Sequence, residues 1–255
     1  MGGMSRWLDV EEGTNDVRLD TIPSNIGIAD LNNDNEFKLL VGDMGNSEEP
    51  KLKIFEGAML ISDINLPDVP LSVVSFYASE TQPKPPPLVA VAFNSRIDIY
   101  RNFKVFYRFQ LPSIKIEESE IEIWKQLKDP TNYNDTSVTR LCEELESLSN
   151  DLCYQSKTFL LMTIEEKLSF LETAELPNEI PTEFVCLTTL KMSALDKMAV
   201  SCLVVGTEDG DIIVLDPHTF TQLLKANLNT VKSQPYQIVA TGLYNTEYRI
   251  TIATR

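Results

Sequence analysis

The sequence predicts an all-β fold, a β-propeller carrying one α-helical insertion, and three observations predict it. Short β-branched runs ending in a small residue recur at a nearly constant interval. Each run lies within a set of apolar stretches separated by polar turns. Between two of these sets the apolar spacing lengthens from the alternation of a strand to the stagger of a helix.

The small-residue runs are 39–42, 89–92, 203–206 and 251–254, ending at Gly42, Ala92, Gly206 and Thr254. An apolar stretch precedes each of them, at 26–31, 71–77, 184–190 and 236–243. Behind the first three runs come a second strand (51–55, 97–100, 212–215) and a third (58–64, 103–110, 219–226). Gly42 and Ala92 lie 50 residues apart, and Gly206 and Thr254 lie 48 apart. Four antiparallel strands repeating at about 40–50 residues make a propeller blade. The units are therefore 25–66, 71–111, 184–228 and 234–255, the last one half complete. That is about three and a half blades. Small residues at the strand ends suit places where blades crowd near an axis.

Ala92 and Gly206 are 114 residues apart, far more than one period, and 114–177 is the insertion. Ile121, Trp124 and Leu127 share one helical face over 117–128. Val138, Leu141, Leu145 and Leu148 do the same over 135–150, with Asn134 or Asp135 as N-cap. Residues 157–162 continue apolar, and Thr163-Ile164-Glu165-Glu166 is a capping box opening a third helix through Leu171. Pro177 and Pro181 close it. The helices read as cover for an exposed blade edge, with a contact surface for another subunit as the alternative. The Pro-rich loop 82–87 has the P-x-x-P spacing of an SH3 ligand, but between paired strands it reads as a stiff connection.

Composition excludes several function classes. Thirty-eight acidic against 22 basic residues leave a net charge of −16. Phosphate contact needs clustered Lys and Arg, so no nucleic-acid partner is expected, and anionic lipid would be repelled. His218 is the single histidine, which forbids a multi-histidine metal site. Lying in a turn beside Pro217, it reads as a surface residue. Cys142, Cys153, Cys186 and Cys202 form no C-x-x-C, and reduced, partly buried cytosolic thiols are the expectation. No apolar run approaches the length of a membrane span, and neither a phosphate-binding loop nor a nucleophile elbow occurs. No cofactor is expected.

Asp30-Leu31-Asn32-Asn33-Asp34 places oxygen side chains at the first, third and fifth positions, as a calcium loop does. Asn35 stands where that loop needs glycine, and Lys38 stands where it needs its last carboxylate. Asp30, Asn32 and Asp34 are thus weak metal candidates, and an acidic hairpin turn is the preferred reading. Asn32, Asp34 and Glu36 alternate outward from the turn and are the candidate protein contact, steering encounter with a basic surface.

Trp7-Leu8-Asp9, Ala29-Asp30-Leu31, Phe37-Lys38-Leu39 and Val41-Gly42-Asp43 resemble the Bardet–Biedl syndrome protein one family. So do Val200 to Val204, Gly206-Thr207-Glu208, Leu215-Asp216-Pro217, Phe220-Thr221 and Glu247-Tyr248-Arg249, in the same order and spacing. The resemblance implies a seven-bladed propeller, of which this chain would be the N-terminal part, with later blades and C-terminal domains absent. It implies a non-enzymatic scaffold subunit of the BBSome, a complex trafficking membrane-protein cargo to and from cilia. Partners would be other BBSome subunits and a GTP-loaded Arf-like small GTPase, with the membrane reached only indirectly. The location would be cytoplasm, ciliary basal body or centrosome, cilium and ciliary membrane. The alternative is a metal-dependent or hydrolytic propeller enzyme, marked by polar residues clustered around a central channel.

Overall fold

A computed structural model describes residues 19–45, 49–148, 152–177, 179–228 and 235–254. The chain divides into two compact units, one of Met1–Leu111 with Glu183–Arg255 and one of Pro112–Thr182. In the first unit β1 (Ile26–Ala29), β2 (Lys38–Asp43), β3 (Lys51–Glu56) and β4 (Met59–Asn65) pair antiparallel in chain order. A second sheet follows from β5 (Ser72–Phe76), β6 (Leu88–Ala92), β7 (Arg96–Arg101) and β8 (Lys104–Gln110).

The second unit opens on β9 (Ser113–Lys115) and closes on β10 (Glu179–Pro181), which pair with each other. Between them lie α1 (Glu118–Leu127), α2 (Asp135–Leu148), α3 (Tyr154–Leu161) and α4 (Ile164–Thr173). Back in the first unit, β11 (Phe184–Lys191), β12 (Ser201–Thr207), β13 (Asp211–Leu215) and β14 (Gln222–Asn227) make a third sheet. The last pair is β15 (Pro235–Leu243) with β16 (Glu247–Thr254). The first strand of each sheet lies against the first strand of the next, as in propeller blades.

Two of the middle strands, β6 and β12, read as nearly continuous apolar runs because they are buried on both faces. Along β6, Val89 and Val91 enter the core against the first blade, while Leu88, Ala90 and Ala92 enter the core against the third. Along β12, Leu203 and Val205 face the second blade, and Cys202 and Val204 face the fourth. Alternation thus supplies two cores from one strand. The three outer strands share a bulge, at Ile54/Phe55, Ile99/Tyr100 and Val214/Leu215 of their partners. The extra residue is Ile61, Phe106 or Leu223, and all three are exposed.

Some boundaries differ from the sequence reading. The first strand stops at Ala29 because Asp30 begins a capped turn. Strand 219–226 begins only at Gln222, because Asp216 Oδ1 accepts the N–H groups of His218 and Thr219, both at 2.8 Å, and holds a turn there. The apolar run 157–162 belongs to a helix of its own, α3, capped by Cys153, so the insertion has four helices rather than three. Pro181 pairs within β10 and does not terminate a helix. Trp7, Asn150, Gln234 and Arg255 lie outside the described residues.

The helical unit has its own core, with Trp124, Leu127, Leu141, Leu145, Phe159 and Leu171 fully buried. Asn134 is the N-cap of α2, its Oδ1 accepting Ser137 N–H at 2.9 Å. Thr163 and Glu166 form the expected capping box. Trp124 Nε1 donates to Ser156 Oγ at 2.7 Å, and the Ser156 hydroxyl donates to the buried Glu120 carboxylate. No described helix is long and apolar enough to cross a membrane.

Candidate interaction surface

The turn between β1 and β2 is built by its own carboxylates. Asp30 is buried, and its two oxygens accept the backbone N–H groups of Asp34 at 3.0 Å and Asn35 at 2.9 Å. Asp34 Oδ1 accepts Glu36 N–H at 2.8 Å, and Asn32 Nδ2 reaches Asp34 Oδ2 at 3.4 Å. Asn33 and Asn35 hold φ of 56° and 63°, the left-handed region that asparagine tolerates better than other side-chain-bearing residues. The turn is therefore a preformed shape.

Asn32, Asp34 and Glu36 are all exposed at its tip. The Glu36 N–H above all, with the Asn32 amide and the Lys38 charge, holds the Asp34 carboxyl below the ordinary aspartate value against the opposing effect of desolvation. It is charged at neutral pH. Asp30, by contrast, spends both oxygens on backbone donors and shapes the turn. Lys38, the residue in the last ligand position of a calcium loop, has a buried ammonium held between Glu36 and Glu56. Its bond to Glu56 raises its pKa and lowers that of Glu56. Among the described residues no group of three or more His, Cys, Asp or Glu is arranged to hold a metal ion.

Two residues that sequence reasoning passed over fix this turn to the next blade. Asn33 Nδ2 donates to the Lys84 carbonyl at 2.7 Å, and the Tyr77 hydroxyl donates to Asn33 Oδ1 at 3.1 Å. The turn therefore continues into the Pro-rich loop 82–87. Nothing local marks Asn33, because its partners lie 44 and 51 residues away.

Beyond that loop lies an open cavity of about 440 Å³, lined by Pro85, Pro86, Arg101, Pro217, His218 and Phe220 among others. His218 is exposed in the capped turn, as its place beside Pro217 suggested. Burial works against the Asp216 charge there, yet the N–H groups of Thr219 and His218 hold its carboxyl below the usual value. All four cysteines are free thiols, and Cys142, Cys153 and Cys202 are buried. Burial pushes the Cys186 thiol up to about 11 and that of Cys202 to about 12, so neither is a ready nucleophile.

A family model described as ciliary BBSome complex subunit 1 matches residues 7–255. BBSome complex member BBS1 of Homo sapiens is 31% identical over 255 residues, covering 98% of this chain and 42% of the human protein. Its Mus musculus counterpart is 32% identical over 254 residues, with the same two shares. The chain thus spans 42% of the length of these curated relatives. A crystal structure of BBS1N in complex with ARL6DN, soaked with mercury, is similar at a TM-score of 0.64 and 26% identity. That likeness covers 93% of this chain and 53% of the solved one. A lead-soaked crystal of the same pair shares the fold, with a TM-score of 0.62 at 24% identity, 93% of this chain and 52% of that one.

Proposed function

The chain belongs to the ciliary BBSome complex subunit 1 family, and from that premise we propose that it serves as a non-enzymatic adaptor of the BBSome. In this reading it binds the GTP-loaded form of an Arf-like small GTPase, which brings the complex to the membrane. It then takes part in moving membrane-protein cargo to and from cilia, beside other BBSome subunits. Cytoplasm, basal body, cilium and ciliary membrane are its proposed locations.

One observation carries this reading. The chain shares its fold and 26% of its residues, over 93% of its length, with a propeller solved in complex with ARL6DN. The first unit adds what such a platform needs, a stiff array of sheets bearing preformed polar turns. Asn32, Asp34 and Glu36 are the contact we propose for a basic patch on a partner. Their charge would act mainly on the rate of encounter.

Pull-down of the Arf-like GTPase of the same organism, loaded with a non-hydrolysable GTP analogue or with GDP, tests the proposal. Capture of the GTP form alone is expected. Equal capture of both forms, or of neither, overturns it.

A further inference from the structure

The outer strand of each blade has one unpaired edge, so the three complete blades offer three such edges to compare. Met59–Asn65 carries one aspartate, no cation and no aromatic ring. Gln222–Asn227 carries one lysine and no ring. Lys104–Gln110 is different, with Lys104 and Arg108 among Val105, Phe106, Tyr107 and Phe109 and no carboxylate. With the hairpin residues before it, the exposed stretch reads Arg-Asn-Phe-Lys-Val-Phe-Tyr-Arg from Arg101 to Arg108.

An aromatic edge strand is an aggregation hazard unless something guards or uses it. Here the rings are organised rather than scattered. Phe220 packs 4.8 Å from Tyr107 and 6.2 Å from Phe106, and the Arg101 guanidinium lies 3.6 Å over the Phe106 ring. Arg108 is committed to Asp98 through two hydrogen bonds, of 2.7 and 3.1 Å. Arg101 and Lys104 enter no ion pair among the described residues. They form a cationic spot on a chain whose net charge is −16. The cavity of about 440 Å³ opens beside them, at Arg101 and Phe220.

We propose that β8 is a docking edge for an extended acidic segment of a partner protein, added as a fifth strand to the second blade. The unpaired backbone groups would supply the ladder, Arg101 and Lys104 would select carboxylates, and the aromatic surface would take the segment's apolar side chains. Charge complementarity selects this occupant. A second copy of this chain offers only one carboxylate on the outer strands of its three complete blades, Asp63, and that one is already paired with Lys51 at 3.0 Å. An anionic membrane would be repelled by the remainder of the surface.

The probe is a fluorescein-labelled nine-residue peptide of alternating glutamate and valine, read by anisotropy against the 255-residue chain. A lysine–valine peptide is the control. The acidic peptide is expected to bind, although the chain's net charge repels it. The double reversal R101E/K104E should weaken it at least tenfold, and F106A should weaken it independently; both alter exposed residues, and circular dichroism checks their fold. Absence of binding, equal binding of the lysine–valine peptide, or affinity unchanged in both variants overturns the proposal. So does concentration-dependent dimerisation that F106A abolishes, which would make the occupant a second copy. GTPase capture by R101E/K104E should equal that of the unaltered chain. Its loss would assign β8 to the GTPase contact instead.

Discussion

The Tyr77 hydroxyl donates a 3.1 Å hydrogen bond to Oδ1 of Asn33, tying the residue after β5 to the turn between β1 and β2. Burial, with the Asp30 charge behind it, raises the pKa of this phenol, so it stays a donor at any physiological pH. Tyr77→Phe deletes the donor and leaves Asn33 held by its bond to the Lys84 carbonyl alone. A loss of about 1 kcal/mol is expected. In a chain of this size that lowers the melting temperature by about 2–4 °C. An unchanged melting temperature would mean that the Lys84 bond suffices to hold the turn.

Charge reversal of Asp34 and Glu36 together should slow GTPase association in the full-length protein. The effect should be large at low salt and small at high salt, because steering is screened within about 10 Å at 0.1 M. Reversal also removes the acceptor of Glu36 N–H, so the neutral pair D34N/E36Q, which keeps side-chain oxygens in place, is the control. It should slow association less. Equal association rates for all three proteins at both salt levels would remove this turn from the interface.

Glycines test how tightly the blades meet. A Cβ on Gly206 would lie 2.7 Å from Cys186 Sγ and 2.8 Å from Ile238 Cδ1, in the gap between β12, β11 and β15. Gly206→Ala should cost about 1–3 kcal/mol through overpacking. Gly242 has φ of 92°, and a Cβ there would meet the Glu247 carbonyl oxygen at 2.3 Å. That oxygen is backbone, which yields less than a side-chain end. Gly57, at φ of 58° with open space around it, bears only the backbone cost, about 1–2 kcal/mol. Denaturant midpoints should fall most for Gly242→Ala, next for Gly206→Ala and least for Gly57→Ala.

The helical unit closes on itself. Its buried core draws only on residues between Ile123 and Leu171. In the first unit, Leu111 N–H and Phe184 N–H bond to the neighbouring carbonyls of Ser95 and Asn94, at 2.9 and 2.6 Å. The chain thus leaves and re-enters the sheets at one turn. Replacing Pro112–Thr182 by a short Gly-Ser linker should remove the helical signal in circular dichroism and keep a cooperative β-sheet transition. Loss of the whole fold would show that the helices complete the core of a blade.

The blades were legible in the sequence because β6 and β12 are buried on both faces, and such a strand is apolar at every position rather than at alternate ones. The intervals Gly42–Ala92 and Gly206–Thr254 then reported the repeat, and Gly42 and Gly206 sit where the next blade leaves little room, against Val73 and Ile238. The turn at Asp30 was legible for a related reason: its oxygens bond N–H groups four and five residues on, within reach of a local pattern. The roles of Tyr77 and Lys38 were not, because their partners, Asn33 in the turn of the preceding blade and Glu56 in β3, are distant in sequence. The aromatic contacts of Phe220 with β8 were hidden likewise, since more than 100 residues separate them. Helix α3 was missed because Cys153 is an unusual N-cap and Leu161, at its end, is exposed.

Asp43 should give the fold a measurable acid dependence. It sits at the end of β2, where burial pushes its carboxyl up. The Lys53 ammonium and the N–H groups of Asp20 and Gly45 outweigh that and hold it below the ordinary value of 3.8. A carboxyl whose pKa is lower folded than unfolded favours the folded state when ionised. Its contribution is therefore complete above about pH 4, and it is lost as pH falls through the lowered folded value. Asp34 and Asp216 are lowered as well and add to the same slope. Asp43→Asn isolates one share, because it removes the charge while keeping an acceptor for Asp20 N–H. At pH 7 the variant should melt below the unaltered chain, and the two curves should converge as the pH falls from about 4 toward 2. Melting curves at half-unit steps read this directly, and a gap that stays constant across the range would assign the loss to packing rather than to the Asp43–Lys53 pair.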